Sequence, residues 1–265
     1  MLTFVSTFFY MISIINPHFY NYKSNLLDFI DNFKTTGTLF GDGKRNKIKL
    51  FELEGKTINI KYFKNPHFIN KIVYKYFRKS KARRSFEYAN SLLEKGIGTP
   101  QPIAYFENYD LIGLKDSYYV SEHLDYDLTF RELVEIPDYP DHENILRQFT
   151  QFSFDMHEKG VDFLDHSPGN TLIINKNNGQ YDFYLVDLNR MNFHQFMDFE
   201  SRMKNLSHLT SRKEIVALMC AEYAVLSSND EKLVFDTLWY FTVSFQKRFH
   251  NKIRLKNKIF FWRKK

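Results

Sequence analysis

The chain has 265 residues, 43% of them apolar, which is enough for one large domain or two lobes and excludes a disordered protein. Its single cysteine, Cys220, excludes a disulfide framework and favours a reducing cytoplasm. No histidine signature surrounds this cysteine, so we interpret it as a buried apolar residue. Nine Lys or Arg and no acid lie in residues 61–84, and the same is true of residues 245–265. The rest of the chain has 19 basic and 31 acidic residues, so it is acidic. Two basic tracts in an otherwise acidic protein indicate a partner with an anionic surface.

The N-terminal residues 1–15 are almost continuously apolar and stop at Asn16-Pro17. They carry no basic region and no cleavage site of a signal peptide. They are also shorter than the ~20 residues that span a bilayer. We therefore interpret residues 1–30 as an apolar segment that packs on a lobe or at an interface.

Residues 31–124 are predicted to form a strand-rich lobe. Strand pairs are expected around GDGKRN (41–46) and around Glu54-Gly55, where apolar and polar residues alternate on both sides. A helix is predicted over residues 81–95, with one apolar face and Gly96 as its stop. That face comprises Phe86, Ala89, Leu92 and Leu93. PIAYFE (102–107) and SYYVSEHL (117–124) are predicted as strands.

Residues 125–265 are predicted to form a mostly helical lobe. A helix is expected near 142–158, ending at Gly160, with Ile145, Phe149, Phe152 and Met156 on its apolar stripe. TLII (171–174) and FYLVD (183–187) are predicted strands that an Asn-Asn-Gly turn connects. Strands followed by helices predict an α+β protein of two lobes.

The loop between these elements carries the chemistry. Asp165 and Asn170 have the D-x-x-x-x-N spacing of a kinase catalytic loop, and Asp187 ends the next strand, where a kinase places its Mg²⁺-binding aspartate. The spacing alone has little value, because Pro-Gly also makes turns and Asp187 could cap an element. The helix, loop, strand, turn and second strand in this order favour a phosphoryl-transfer site.

A kinase also needs a strand lysine for the ATP phosphates and a helical glutamate that fixes it. Lys61 in TINIK and Glu87 within the predicted helix satisfy this pattern. Lys64 and Glu94 are competitors, but the first lies beyond the strand and the second near the helix end. Both charges could equally be ordinary surface residues.

Backbone groups complete the predicted nucleotide site. Gly41 and Gly43 could let N–H groups approach phosphate, or they could simply form a turn. The backbone from Glu122 to Leu124 would be the hinge that pairs with adenine, although a plain strand end would look the same.

Together these residues resemble the Kdo/WaaP lipopolysaccharide kinase family, whose members have the protein-kinase-like fold. The resemblance runs from about residue 35 to 195 and is most specific in INIKYFKNPHF, DHSPGNTLI and FYLVDLNRM. A looser similarity to small-molecule kinases covers less of the chain.

The resemblance implies ATP- and Mg²⁺-dependent phosphorylation of a heptose or Kdo hydroxyl on a lipid A precursor. Asp165 would then act on the sugar hydroxyl. Asn170 and Asp187 would hold Mg²⁺, and Lys61, fixed by Glu87, would hold the phosphates. The implied enzyme is a peripheral protein at the cytoplasmic face of the inner membrane, and we expect it to be a monomer.

The chain also departs from protein kinases. Ser167 stands where those enzymes carry a lysine that neutralises the transferring phosphate, so another cation must act there. Asp187 begins Asp-Leu-Asn and no Ala-Pro-Glu follows, which argues against a protein substrate. A nucleotide-binding scaffold without turnover and a kinase of a soluble metabolite remain alternatives. No nucleic-acid-binding motif accompanies the basic tracts, and no nucleic-acid partner is expected.

Overall fold

The computed structural model describes residues 10–41, 47–64 and 78–259. The chain divides into two compact units. The first, here the N-lobe, comprises the residues up to Asp125 together with Asp187–Arg190. The second, the C-lobe, comprises Tyr126–Val186 and the residues from Met191 onward. The assignment of nucleotide binding to the N-lobe and catalysis to the C-lobe stays a prediction.

The N-lobe is built on one antiparallel sheet of six strands in the order β1-β5-β6-β4-β3-β2. The strands are β1 (Tyr10–Ile15), β2 (Thr38–Phe40), β3 (Lys47–Leu53), β4 (Lys56–Phe63), β5 (Pro102–Tyr109) and β6 (Leu114–Glu122). Both predicted strand pairs are confirmed, since β2 pairs with β3 and β3 with β4. Glu54 and Gly55 connect the second pair with φ angles of 50° and 76°, as a tight hairpin turn requires.

Two helices cover this sheet on opposite faces. Helix α1 (Lys23–Asp31), which the sequence did not predict, buries Leu26 and Ile30 in the cluster formed by one sheet face. Helix α2 (Lys81–Glu94) buries Ala82 and Phe86 against the other face. The predicted helix is thus confirmed, and Gly96 follows it with a φ of 64°.

Part of the apolar N-terminal segment belongs to this lobe. Residues 10–15 form β1, whose whole length pairs with β5, and a short 3₁₀ helix (Pro17–Tyr22) follows. Residues 1–9 lie outside the described residues. The sequence did not predict a strand here, because the run does not alternate apolar and polar side chains.

The C-lobe is mostly helical, as predicted. Its helices are α3 (Phe130–Glu135), α4 (His142–Glu158), α5 (Phe199–Leu206), α6 (Lys213–Ser227) and α7 (Glu231–Ile259). Its strands are β7 (Leu128–Thr129), β8 (Val161–Phe163), β9 (Thr171–Asn175), β10 (Tyr181–Leu185) and β11 (Met191–Phe193), in sheets β10-β9-β7 and β11-β8. Helix α4 has the predicted bounds, and the α+β class is confirmed.

The C-lobe core joins the helices to the three-stranded sheet. Phe149 of α4, Ile173 of β9 and Tyr223 of α6 belong to one buried cluster. Cys220 lies in the same cluster, and burial raises the pKa of its thiol to about 12, so it behaves as the predicted apolar residue. Among the described residues, no helix combines the length and the apolar character that a membrane span needs.

Candidate active site

Lys61 is the predicted phosphate ligand of the N-lobe, and strand alternation sets its direction. Its cross-strand partner is Tyr119, and it shares a sheet face with Phe63, which packs on α2. The side chain is only 13% exposed, and its Nζ lies 2.8 Å from Oδ1 of Asp187. Two predicted site residues therefore form one ion pair in this lobe.

Asp187 itself is held in an unusual backbone conformation. Its φ is 60°, in the left-handed region that non-glycine residues rarely adopt. Asn189 donates from Nδ2 to the same Oδ1 at 2.8 Å, and buried Arg84 of α2 donates to the Asn189 carbonyl at 2.7 Å. Backbone strain of this kind persists only where neighbouring contacts impose it, and it is concentrated at functional sites.

Glu87, the predicted partner of Lys61, lies on α2 and binds two other cations. Its carboxylate accepts from Lys79 at 2.7 Å and from Arg83 at 2.9 Å. Burial alone would raise the pKa of Glu87, but these two bonds outweigh it and hold the pKa below its ordinary value. The structure thus does not form the Lys61–Glu87 pair, which stays a prediction for the nucleotide-bound protein. The competitors Lys64 and Glu94 are both exposed.

The predicted backbone contacts of the nucleotide are two glycines and the hinge after β6. Gly41 has a φ of 79°, and no atom of the described residues lies within 4 Å of the place where a Cβ would be. Gly43 lies outside the described residues. The N–H of Glu122 donates to the Gln101 carbonyl, and the Glu122 side chain pairs with Lys56 at 2.8 Å. Leu124 follows β6, and pairing with adenine stays a prediction for it.

The C-lobe carries the loop with Asp165 and Asn170. Asn170 donates from Nδ2 to the Asp165 carbonyl at 2.8 Å, and its N–H donates to the Ser167 carbonyl at 2.9 Å. The N–H of Val186, directly before Asp187 in the chain, donates to the Asn170 carbonyl at 3.0 Å. The two ends of the D-x-x-x-x-N pattern are therefore bonded to each other.

A buried polar network supports this loop from α5. Asn205 donates from Nδ2 to the Asp162 carboxylate at 3.0 Å and to the Phe163 carbonyl at 2.9 Å. Its Oδ1 lies 2.7 Å from Nδ1 of His166 and 3.2 Å from Nε2 of His157. One amide thus joins the strand before the catalytic loop to the residue that follows Asp165.

The network fixes the proton positions on both histidines. Burial lowers the pKa of His157 to about 3 and that of His166 to about 4, so both are neutral near pH 7. Because Oδ1 of Asn205 can only accept, His166 donates from Nδ1 and His157 from Nε2. Nδ1 of His157 then accepts from the Tyr223 hydroxyl at 3.0 Å. Nε2 of His166 is a buried acceptor for which no partner is found in the described part of the chain.

Arg131 at the start of α3 brings a cation to the same loop. A Cβ on Gly169 would lie 2.8 Å from Nη2 of Arg131, so the guanidinium packs closely against the Gly169 backbone. Gly169 lies between Asp165 and Asn170. Arg131 is exposed, and no salt bridge is found for it among the described residues.

The sequence comparisons identify the family. A model described as "Lipopolysaccharide kinase (Kdo/WaaP) family" matches residues 33–229, well over half of the chain. The chain belongs to this family. A solved structure titled "WaaP in complex with acyl carrier protein" is similar at a TM-score of 0.61 and 14% identity, covering 91% of this chain and 98% of that one. This confirms the protein-kinase-like fold, and no curated protein matches the chain by sequence.

The sequence did not predict several residues that contact the candidate site of this lipopolysaccharide kinase family member. Arg84 contacts a carbonyl 105 positions away, and Asn205 reaches residues about forty positions away. Local patterns contain no sign of such contacts. The position of Arg131 could have been predicted, because it lies inside the Thr-x-x-Glu capping box (Thr129 to Glu132) that fixes where α3 begins.

Proposed function

We propose that this chain transfers the terminal phosphoryl group of ATP to a hydroxyl of Kdo or heptose in the lipopolysaccharide inner core. The observation that carries the proposal is the loop from Asp165 to Asn170, which lies within the matched family region. The Asn170 side chain closes this loop by a hydrogen bond to the Asp165 carbonyl, and the buried Asn205 network holds it in place. A loop held so firmly suits a carboxylate that must orient a hydroxyl, since misplacement by 1 Å is costly for catalysis.

In this proposal each site residue has one task. Asp165 accepts the proton of the sugar hydroxyl and aligns its oxygen for attack on phosphorus. Lys61 leaves the Asp187 carboxylate and donates to the ATP phosphates, where Glu87 fixes it. Gly41, Gly43, Glu122 and Leu124 contribute backbone groups to nucleotide binding.

Asn170 and Asp187 are proposed to hold Mg²⁺. The donor set fits this ion, because Mg²⁺ prefers oxygen ligands and commonly uses one or two protein groups beside substrate phosphates. The Asn170 amide donates its nitrogen to the loop, so its Oδ1 is the end not engaged by that bond. Bound Mg²⁺ would neutralise charge on the phosphates.

Arg131 is proposed to supply the cation that Ser167 cannot supply. Its guanidinium lies against Gly169 within the catalytic loop. An arginine placed at a transferring phosphoryl group can accelerate transfer by several orders of magnitude. We therefore expect Arg131→Ala to lower kcat about hundredfold, with little change in the KM for ATP. Gly169→Ala should shift the flexible guanidinium and lower kcat less than Arg131→Ala does. Arg147→Ala on α4, where the guanidinium pairs with Glu143 and Glu222, should keep the wild-type kcat.

The decisive experiment is phosphoryl transfer from labelled ATP to deacylated core oligosaccharide. The wild type should label the oligosaccharide, and Asp165→Asn should nearly abolish labelling while ATP binding persists. Asp187→Asn should instead weaken Mg²⁺-dependent nucleotide binding. Wild-type turnover in Asp165→Asn would refute the assignment.

The same assay separates the alternatives. A nucleotide-binding scaffold would bind ATP but label neither the oligosaccharide nor a panel of soluble sugars. A metabolite kinase would label the soluble panel and leave the oligosaccharide unlabelled. Mass spectrometry of the labelled product would identify the sugar and its hydroxyl.

We also propose peripheral attachment to the inner face of the cytoplasmic membrane. Helix α7 has no acid after Asp236, and its exposed second half mixes Phe249, Ile253 and Leu255 with cations. Basic and aromatic residues together suit the lipid headgroup region.

A protein partner is a further proposal, because the similar WaaP structure is titled as a complex with acyl carrier protein. Gel filtration of the purified chain with and without acyl carrier protein tests it and reports the oligomeric state.

A further inference from the structure

A pocket of the C-lobe that lies between α5 and α7 has no role in the proposed chemistry. Its volume is about 370 Å³, within the range of small-molecule sites. Five lining residues follow the i, i+1, i+4, i+7, i+8 spacing of one helical face of α7, and Lys204 of α5 completes the wall. The five are Tyr240, Phe241, Ser244, Lys247 and Arg248.

The cations of this pocket are unpaired. Two other arginines of the C-lobe, Arg147 and Arg212, bind carboxylates at 2.7 Å. In contrast, the side chains of Lys204, Lys247 and Arg248 have no ion pair or hydrogen bond within the described ranges. None of the described residues that line the pocket is an acid. Like charges held around one cavity repel each other, and an anion bound between them would relieve this repulsion.

The pocket is connected to the catalytic loop through α5. Lys204 precedes Asn205, whose amide bonds to Asp162 and to the Phe163 carbonyl. His208 follows α5, and its ring lies 4.4 Å from that of Phe245 on α7. Burial lowers the pKa of His208, Arg248 and Lys204 lower it further, and Asp162 and Asp165 oppose them. The imidazole therefore lies in the fields of both the pocket cations and the catalytic aspartate.

We propose that this pocket binds a phosphate or carboxylate group of the sugar acceptor, and so selects anionic sugars for phosphorylation at Asp165. Lys204, Lys247 and Arg248 would pair with the anion, and the Ser244 hydroxyl would donate to it. The rings of Tyr240 and Phe241 offer apolar faces to the sugar. The inference rests on the proposed kinase function and gives its acceptor a chemical class.

The test compares two triple alanine variants, each of which removes three positive charges. The pocket variant carries Lys204→Ala, Lys247→Ala and Arg248→Ala. The control variant carries Lys34→Ala, Lys115→Ala and Lys159→Ala, which are exposed and lie outside the pocket and outside both basic tracts. Because all six side chains are exposed, both variants should fold, and thermal melting verifies this.

The assay uses water-soluble deacylated oligosaccharide, either as isolated or with its phosphates removed and its carboxylates reduced. With the anionic acceptor, the pocket variant should raise KM at least about tenfold and leave kcat nearly unchanged, since each exposed cation contributes up to about fivefold. The control variant should match the wild type. With the neutral acceptor, all three proteins should have the same KM. An equal KM for the two variants on the anionic acceptor would refute the proposal.

Binding separates this inference from the proposed function. Calorimetric titration of the Asp165→Asn protein with the anionic oligosaccharide requires no turnover, and the pocket substitutions should weaken that binding about tenfold. If the wild type phosphorylates nothing but this loss is seen, the pocket stands and the kinase function fails. If the pocket variant instead loses only its affinity for anionic vesicles, the cations serve lipid headgroups and the inference is wrong.

Discussion

At the scale of single residues, Lys61 has two candidate partners, and the structure gives it Asp187. The lysine and the aspartate neutralise each other, while Lys79 and Arg83 satisfy Glu87. In the proposed function, nucleotide phosphates and a metal ion would compete for both members of the first pair. The proposed nucleotide binding would therefore have to separate Lys61 from Asp187.

Double-mutant cycles can follow this exchange of partners. In the free protein, Lys61→Met and Asp187→Asn should be coupled by about 1 kcal/mol in the free energy of unfolding, and Lys61→Met and Glu87→Gln should not. In Mg-ATP binding, Lys61→Met and Glu87→Gln should become coupled, so that the double variant loses less than the sum of the two. Urea unfolding and nucleotide titration measure the two cycles. Coupling of Lys61 with Glu87 in the free protein would contradict the observed pairing.

The buried histidines should make stability depend on pH. The pKa values of His157 and His166 in the folded chain are about 3 and about 4, below the unfolded value near 6.5. As the pH falls below about 6.5, the unfolded chain takes up protons that the folded chain excludes. The free energy of unfolding therefore decreases as the pH falls from about 6.5 to the folded pKa values. At pH 5 the loss should be about 2 kcal/mol for each histidine.

Urea unfolding at pH 7 and pH 5 measures this loss. His166→Asn should reduce the difference between the two pH values by about 2 kcal/mol, because it removes one of the two groups. His250→Asn on exposed α7 serves as the control and should keep the wild-type difference. An unchanged difference in His166→Asn would mean that this imidazole is not buried in its neutral form.

At the scale of elements, sequence periodicity was most informative where a segment was long and regular. Helix α4 and the β3–β4 hairpin follow directly from apolar spacing and turn residues. The strands β8 and β11 contain three residues each, too few to show a period, and β1 lacks alternation. The candidate site residues were predicted from the order of elements. Arg84 and Asn205 instead make contacts between distant segments, which no local pattern encodes.

The short β8–β11 pair provides an element-scale prediction. Gly160 connects α4 to β8 with a φ of 70°, and an added Cβ would lie 1.9 Å from the His194 carbonyl oxygen. Gly179 has a φ of 76°, but no atom of the residues that the structure describes lies within 4 Å of the same position. Gly160→Ala should thus destabilise the chain by more than about 3 kcal/mol and lower activity, because β8 leads into the catalytic loop. Gly179→Ala should cost only about 1–2 kcal/mol. Equal thermal and urea stability of the two variants would argue against the close contact.

At the scale of the whole molecule, charge is segregated along the chain. One basic tract covers residues 61–84, of which 65–77 lie outside the described residues, and the other covers 245–265, of which 260–265 do. The described part of the second tract is the end of α7. There Lys252, Arg254 and Lys256 are exposed beside the exposed apolar side chains Ile253 and Leu255.

This end of α7 should bind anionic lipid. Each cation near an anionic membrane contributes about 1 kcal/mol, so replacing Lys252, Arg254 and Lys256 by alanine should weaken vesicle binding about hundredfold. Sedimentation with phosphatidylserine-containing vesicles at low salt measures this, and high salt should release the wild type because it screens the attraction. Replacing the exposed Lys34, Lys115 and Lys159 by alanine removes the same charge elsewhere and should preserve binding. If the wild type sediments equally with neutral phosphatidylcholine vesicles, or if the two triple variants bind alike, α7 does not provide the membrane contact.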